Sequence, residues 1–141
     1  MKKLLTGFLS VLIGAFSLSA AAGDGDIAAD EAYAASRRGE LLIVDVRTPT
    51  EWRETGIPEG AKTAEFGSSA FVATVSAVVG PDKAKPIAVI CRSGNRSTKA
   101  AAILSAAGFT NVLNIREGMA GSGAGPGWLR RGLQTISCPQ C

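Results

Sequence analysis

Three cysteines and no histidine frame the chemistry open to this chain. Without imidazole, a Ser-His-Asp triad, a Cys-His dyad and a His-ligated metal site cannot be built. One cysteine, Cys91, heads the run Cys91-Arg92-Ser93-Gly94-Asn95-Arg96-Ser97-Thr98; the other two sit together as Cys138-Pro139-Gln140-Cys141. An odd count of this kind divides naturally into one pair and one solitary thiol. A lone cysteine after an apolar strand is usually a small buried hydrophobe. Here two arginines, a glycine and the start of a helix converge on Cys91, so the nucleophile is the better reading. Successive backbone N–H groups and the positive end of the helix make an anion cradle, which lowers the pKa of a thiol at its mouth.

The elements that must hold this loop alternate along the chain. Residues 27–38 are Ala-rich and helical in pattern, with Gly39 placed to end the helix. Residues 41–46 (LLIVDV) and 87–90 (IAVI) are short, nearly continuous apolar runs, as expected of strands covered on both faces. The second delivers Cys91 at its C-terminal end. Thr48-Pro49-Thr50-Glu51 is a capping box with Pro at the first helical position, opening a short helix through Glu54. Residues 56–60 read as loop, 61–66 as holding a short strand, and Ser68 or Ser69 as capping a helix to about Val79. A helix over 97–107, a third buried strand over 112–115, a Gly-rich loop over 118–127 and a last short helix over 128–133 complete the pattern. Strands alternating with helices predict an α/β fold: a mostly parallel central sheet with helices on both faces. The Cys91 loop then occupies the crevice at the carboxyl ends of the strands, where open α/β sheets keep their ligand sites.

The chain resembles a single-domain rhodanese, a sulfurtransferase. The resemblance rests on LLIVDVRTPTEW (41–52), GIPEGA (56–61), IAVICRSGNRS (87–97), AAILSAAGF (101–109) and the EGM, GW and GL landmarks of 117–133. It implies that Cys91 is the persulfide-forming catalytic residue and that Arg92, Ser93, Gly94, Asn95, Arg96 and Ser97 bind substrate as the active-site loop. Arg92 would recognise an anionic donor such as thiosulfate, and Arg96 would brace the loop. Asp45 and Arg47 are expected to support neighbouring loops rather than take part in chemistry. Trp52 and Trp128 are expected in packing, and Arg130 and Arg131 on a solvated face. The partners are a small-molecule sulfur donor and a cyanide or thiol acceptor, with no organic cofactor and no metal. Two departures stand out. Gly56 replaces a histidine that the family often carries before Ile-Pro, which reads as a change of packing, and a Gly-rich insertion at 121–127 would reshape the rim of the site.

The same fold supports phosphatases, and loop length separates the two. From Cys91 to Arg96 the spacing is Cys-x4-Arg, one residue shorter than the ring that encircles phosphate, so a sulfane sulfur fits better. A non-enzymatic rhodanese-like binding module is the other alternative; such modules commonly lose the cysteine that is present here.

With 141 residues, 46% hydrophobic and 19% charged, the chain suffices for one domain with a core. Its first 22 residues have the pattern of an export signal: Lys2 and Lys3, an apolar run, and small residues Ala20 and Ala22 before a cut. An uncleaved membrane anchor is the alternative, but Thr6, Gly7, Ser10 and Gly14 dilute the run. The expected organisation is a signal peptide over 1–22, a rhodanese domain over 23–137 and a CxxC tail over 138–141, working in the periplasm or outside the cell without a lasting membrane anchor. Setting aside Lys2 and Lys3 lowers the formal charge from +3 to +1, which argues against a nucleic-acid binder. Cys138 and Cys141 lack two further ligands for zinc. They are expected to form a local disulfide, with a redox partner or a sulfur-accepting role as the sharper alternative.

Overall fold

The computed structural model describes residues 25–141; the expected signal peptide, residues 1–22, lies outside the described residues. The elements are β1 (Gly25–Asp26), α1 (Ala29–Arg37), β2 (Leu42–Asp45), α2 (Pro49–Thr55), β3 (Ile57–Pro58), β4 (Lys62–Thr63), α3 (Phe71–Val79), β5 (Ile87–Ile90), α4 (Asn95–Ala106), β6 (Val112–Asn114) and β7 (Thr135–Ile136). Five strands form one sheet in the order β1-β6-β5-β2-β4, and every pairing in it is parallel. The predicted class therefore holds. β5 lies near the centre, flanked by β2 and β6, with Asp45 opposite Ile90.

Both faces of the sheet are covered, which is why its strands read as unbroken apolar runs. Val44, Val46, Ile87 and Val89 pack with Phe71 and Val75 of α3 and Ala100 and Leu104 of α4. Ile43, Ala88 and Ile90 pack on the other side with Ala29 and Ala32 of α1 and with Met119 and Trp128. Successive strand residues point to opposite faces, so Cys91, next after Ile90, joins the α3/α4 side and is 1% exposed.

The capping box at Thr48 forms as predicted: the Glu51 N–H donates to the Thr48 hydroxyl and the Thr48 N–H to the Glu51 carboxylate. Several expectations need correction. α3 starts at Phe71 without a side-chain cap; Ser68 instead accepts from the Ala70 N–H in the preceding turn. α4 begins two residues before the expected Ser97, because Gly94 adopts the left-handed conformation (φ 98°) that turns the loop into the helix at once. Residues 128–132 form turns, not a helix. The Trp128 and Leu129 N–H groups donate to the carbonyls of Gly118 and Met119, so the segment lies along the 118–119 turn. The expected 56–60 loop contains β3, which pairs antiparallel with β7. Neither β3, β7 nor β1 has a sequence signature, since each is two residues long and fixed by a distant partner.

Candidate active site

The loop from Cys91 to Ser97 joins β5 to α4, so the thiol and the helix N-terminus meet by construction. The Gly94 N–H donates to Cys91 Sγ at 3.1 Å, and Ser97 Oγ lies 3.4 Å from the sulfur. Ser97, fully buried, also donates its hydroxyl to the Gly94 carbonyl at 3.1 Å. When the thiol loses its proton, that hydroxyl can turn its hydrogen to the sulfur. Burial pushes the Cys91 pKa up, but the Ser97 hydroxyl and the N–H groups of Ser97, Ser93 and Gly94 outweigh it, and the thiol ends below its ordinary value. A buried sulfur is thus ringed by donors that ease the loss of its proton.

The loop is clamped from the far side by the turn after β6. The Met119 and Ala120 N–H groups donate to the carbonyls of Cys91 and Arg92, both at 2.9 Å. The contact is so close that glycine is required on both partners: a Cβ at Gly94 would run into the Arg116 carbonyl, and one at Gly118 into the Arg92 carbonyl.

The two loop arginines are used in opposite ways. Arg96 is gripped by Glu51, with two N–H···O contacts of 2.7 Å. The fork holds the Glu51 carboxyl down to about 2, against the opposing effect of burial and with further help from Thr48. Arg96 therefore braces the loop against α2, and its guanidinium is spent there. Glu51, legible in sequence only as a cap, serves both jobs. Arg92 is exposed, and its guanidinium makes no hydrogen bond or ion pair among the described residues. Ser93 and Asn95 are also exposed at the loop rim, while Gly94 is buried.

Asp45 and Arg47 form a buried pair, with Nη2 to Oδ2 at 2.7 Å and Nε to Oδ1 at 3.0 Å. Arg47 also donates to Thr55 Oγ1 and the Gly56 carbonyl. These contacts tie the end of β2 to the end of α2, so the supporting role expected of the pair has a geometric basis. Trp52 and Trp128 are both buried. Gly56 fits the packing explanation: at φ 75°, a Cβ would stand 2.7 Å from the Ile136 carbonyl oxygen. Arg131 departs from expectation. It ion-pairs at 2.8 Å with Glu117, a buried carboxylate that also accepts the Ala29 and Gly127 N–H groups. This link joins α1 to the Gly-rich segment and spans too many residues to be read from the sequence.

Two cavities border the loop. One of about 510 Å³ lies between Ser93, Gly94 and Asn95 and the turn at Ser122, Gly123 and Ala124, so the insertion does form a rim. The other, of about 290 Å³, is lined by Arg92, Arg47, Glu54, Thr55, Met119 and Ala120.

Cys138 and Cys141 are joined in a disulfide, and Cys91 is free.

A family profile described as a rhodanese-like domain matches residues 28–123. A sulfurtransferase from Allochromatium vinosum is 30% identical over 98 residues, covering 70% of this chain and 80% of the relative. A thiosulfate sulfurtransferase, GlpE, from Pseudomonas syringae pv. syringae is 32% identical over 89 residues, covering 63% of this chain and 77% of the relative. The crystal structure of Rv0390 from M. tuberculosis superposes with a TM-score of 0.66 at 29% identity, covering 81% of this chain and 98% of that one.

Proposed function

The chain belongs to the rhodanese-like family, and from that premise we propose that it is a thiosulfate sulfurtransferase of the rhodanese type, working through a persulfide on Cys91. The observation that carries this reading is the placement of one free, hydrogen-bonded thiol with a lowered pKa at the N-terminus of α4. The Cys91 thiolate attacks the outer sulfur of thiosulfate; the S–S bond of the donor breaks and sulfite leaves with the electron pair. The loop N–H groups that favour the thiolate also stabilise the terminal sulfur of the persulfide anion. A cyanide or thiol acceptor then attacks that terminal sulfur and returns Cys91 to the thiolate. Arg92, exposed at the smaller cavity, draws the dianion in. Ser93, Gly94, Asn95 and Ser97 shape the cradle, and Arg96 holds it in register through Glu51. Residues 1–22, with their basic start and apolar run, support export to the periplasm or beyond.

The test is a mass spectrum after incubation with thiosulfate. One sulfur added on the Cys91 peptide is expected, and an unmodified Cys91 alongside measurable turnover would overturn the mechanism.

A further inference from the structure

The 138–141 segment stands outside the family match, yet it is placed beside the site. β7 pairs with β3 through Ile136 and Ile57, and the Ile136 carbonyl presses on Gly56. The Gly56 carbonyl in turn accepts from Arg47 at 2.8 Å, and Arg47 lines the cavity that holds Arg92. Cys138 follows Ile136 by two residues. The Arg53 guanidinium donates to the Cys141 main-chain oxygen at 2.7 Å, which lays the disulfide against α2, the helix that carries Glu51 and Glu54. Both cysteines are half-buried, with Pro139 and Gln140 exposed between them.

The segment is held lightly beyond Gln134, whose carbonyl accepts from the Trp128 indole and the Glu59 N–H. After that point its hydrogen bonds to the rest of the described residues are those of the two-residue β7 and of Arg53. Seven residues released from Gln134 to Cys141 extend about 23 Å at roughly 3.3 Å each. The reach starts beside Gly56, whose carbonyl meets Arg47, a wall of the Arg92 cavity.

We propose that the reduced Cys138/Cys141 pair is this chain's own sulfur acceptor, resolving the Cys91 persulfide within one molecule. The proposal rests on the persulfide reading above. One tail thiolate attacks the terminal sulfur of the Cys91 persulfide. The S–S bond at Cys91 breaks, Cys91 leaves as thiolate, and a persulfide forms on the tail. The second tail thiolate attacks the cysteine sulfur of that tail persulfide, expelling hydrosulfide and closing the Cys138–Cys141 disulfide. The sulfane sulfur gains two electrons and the two tail thiols lose them, so the step balances. An external thiol or dithiol reductant reopens the pair for the next turn, and the disulfide seen here is the spent state.

The experiment uses the full chain and a Cys138→Ser/Cys141→Ser variant, both prereduced, freed of thiol and loaded with thiosulfate. Sulfide release and the mass of the Cys91 and tail peptides are followed. The unaltered chain is expected to release sulfide and gain the tail disulfide at a rate independent of protein concentration, while the variant keeps its sulfur on Cys91. Equal release from the two, retention of sulfur by both, or a rate that rises with protein concentration would overturn the proposal. Failure of both proteins to load Cys91 would instead bring down the persulfide reading, and this inference with it.

Discussion

The loop at 91–97 and the segment at 134–141 both carry cysteine, and they are built to opposite standards. Around Cys91 every constraint is duplicated: a glycine contact on each side, two main-chain hydrogen bonds from the 119–120 turn, and a forked ion pair to α2. The tail pair hangs from a two-residue strand and one arginine. The difference teaches that a nucleophile fed by weak dipoles needs fixed geometry, because N–H groups act on a sulfur only over hydrogen-bonding distance. A pair that must visit another site needs the reverse.

The contrast can be broken most severely at the sulfur. Cys91→Ser keeps nearly the same shape but cannot carry a persulfide, so thiosulfate:cyanide activity should fall to background while the circular dichroism spectrum stays unchanged. Substantial residual turnover would sink the role of Cys91.

Next in size is the clamp. Gly94→Ala puts a Cβ against the Arg116 carbonyl at a positive φ, and a loss of about 2–4 kcal/mol in denaturant-measured stability is expected, together with most of the activity. A wild-type unfolding midpoint would mean that the loop yields.

Ser97→Ala sharpens the electrostatic side of the contrast. It removes a donor that lowers the Cys91 pKa, so the inflection at which activity rises with pH should move upward. A residue that only packs would leave the inflection where it was.

Arg92→Glu should raise KM for thiosulfate and weaken its salt dependence more than it lowers kcat, since it acts on the attraction of a dianion. An unchanged KM would show that Arg92 takes no part in donor capture.

The smallest effect belongs to the tail. Arg53→Ala removes two exposed hydrogen bonds, to the Cys141 oxygen and to Thr50 Oγ1, so the thermal midpoint should shift little, by about 1 kcal/mol or less in stability terms. A large drop would show that the segment is structural after all.

What could be read from the sequence was whatever is local. The capping box at Thr48, the buried runs at 41–46 and 87–90, and the cysteine-headed loop each occupy a few consecutive residues, and each recurs in the structure, the first run as the shorter strand Leu42–Asp45. The parts that escaped depend on distance. Glu51 meets Arg96 across 45 positions, Glu117 meets the Ala29 N–H across 88, and β3 finds β7 near the far end of the chain. No periodicity encodes such meetings. The early start of α4 escaped for a different reason: Gly94 was legible as a loop glycine, but its left-handed conformation makes it the residue before the helix. Arg131 looked like free surface because the buried carboxylate that pairs with it stands fourteen residues away in the sequence.

The side of the sheet on which Cys91 lies is decided by parity. Ile87 and Val89 face α3 and α4, Ala88 and Ile90 face α1, and the thiol takes the next odd place. Chain length in β5 therefore acts as an address. Deleting or inserting a single residue there could leave the whole Cys-Arg-Ser-Gly-Asn-Arg-Ser run intact and still turn the sulfur toward α1, away from its donors. A relative that kept the loop letter for letter but carried such an offset would retain the motif and lose the cradle, so the count of residues in the preceding strand belongs to the signature as much as the cysteine does.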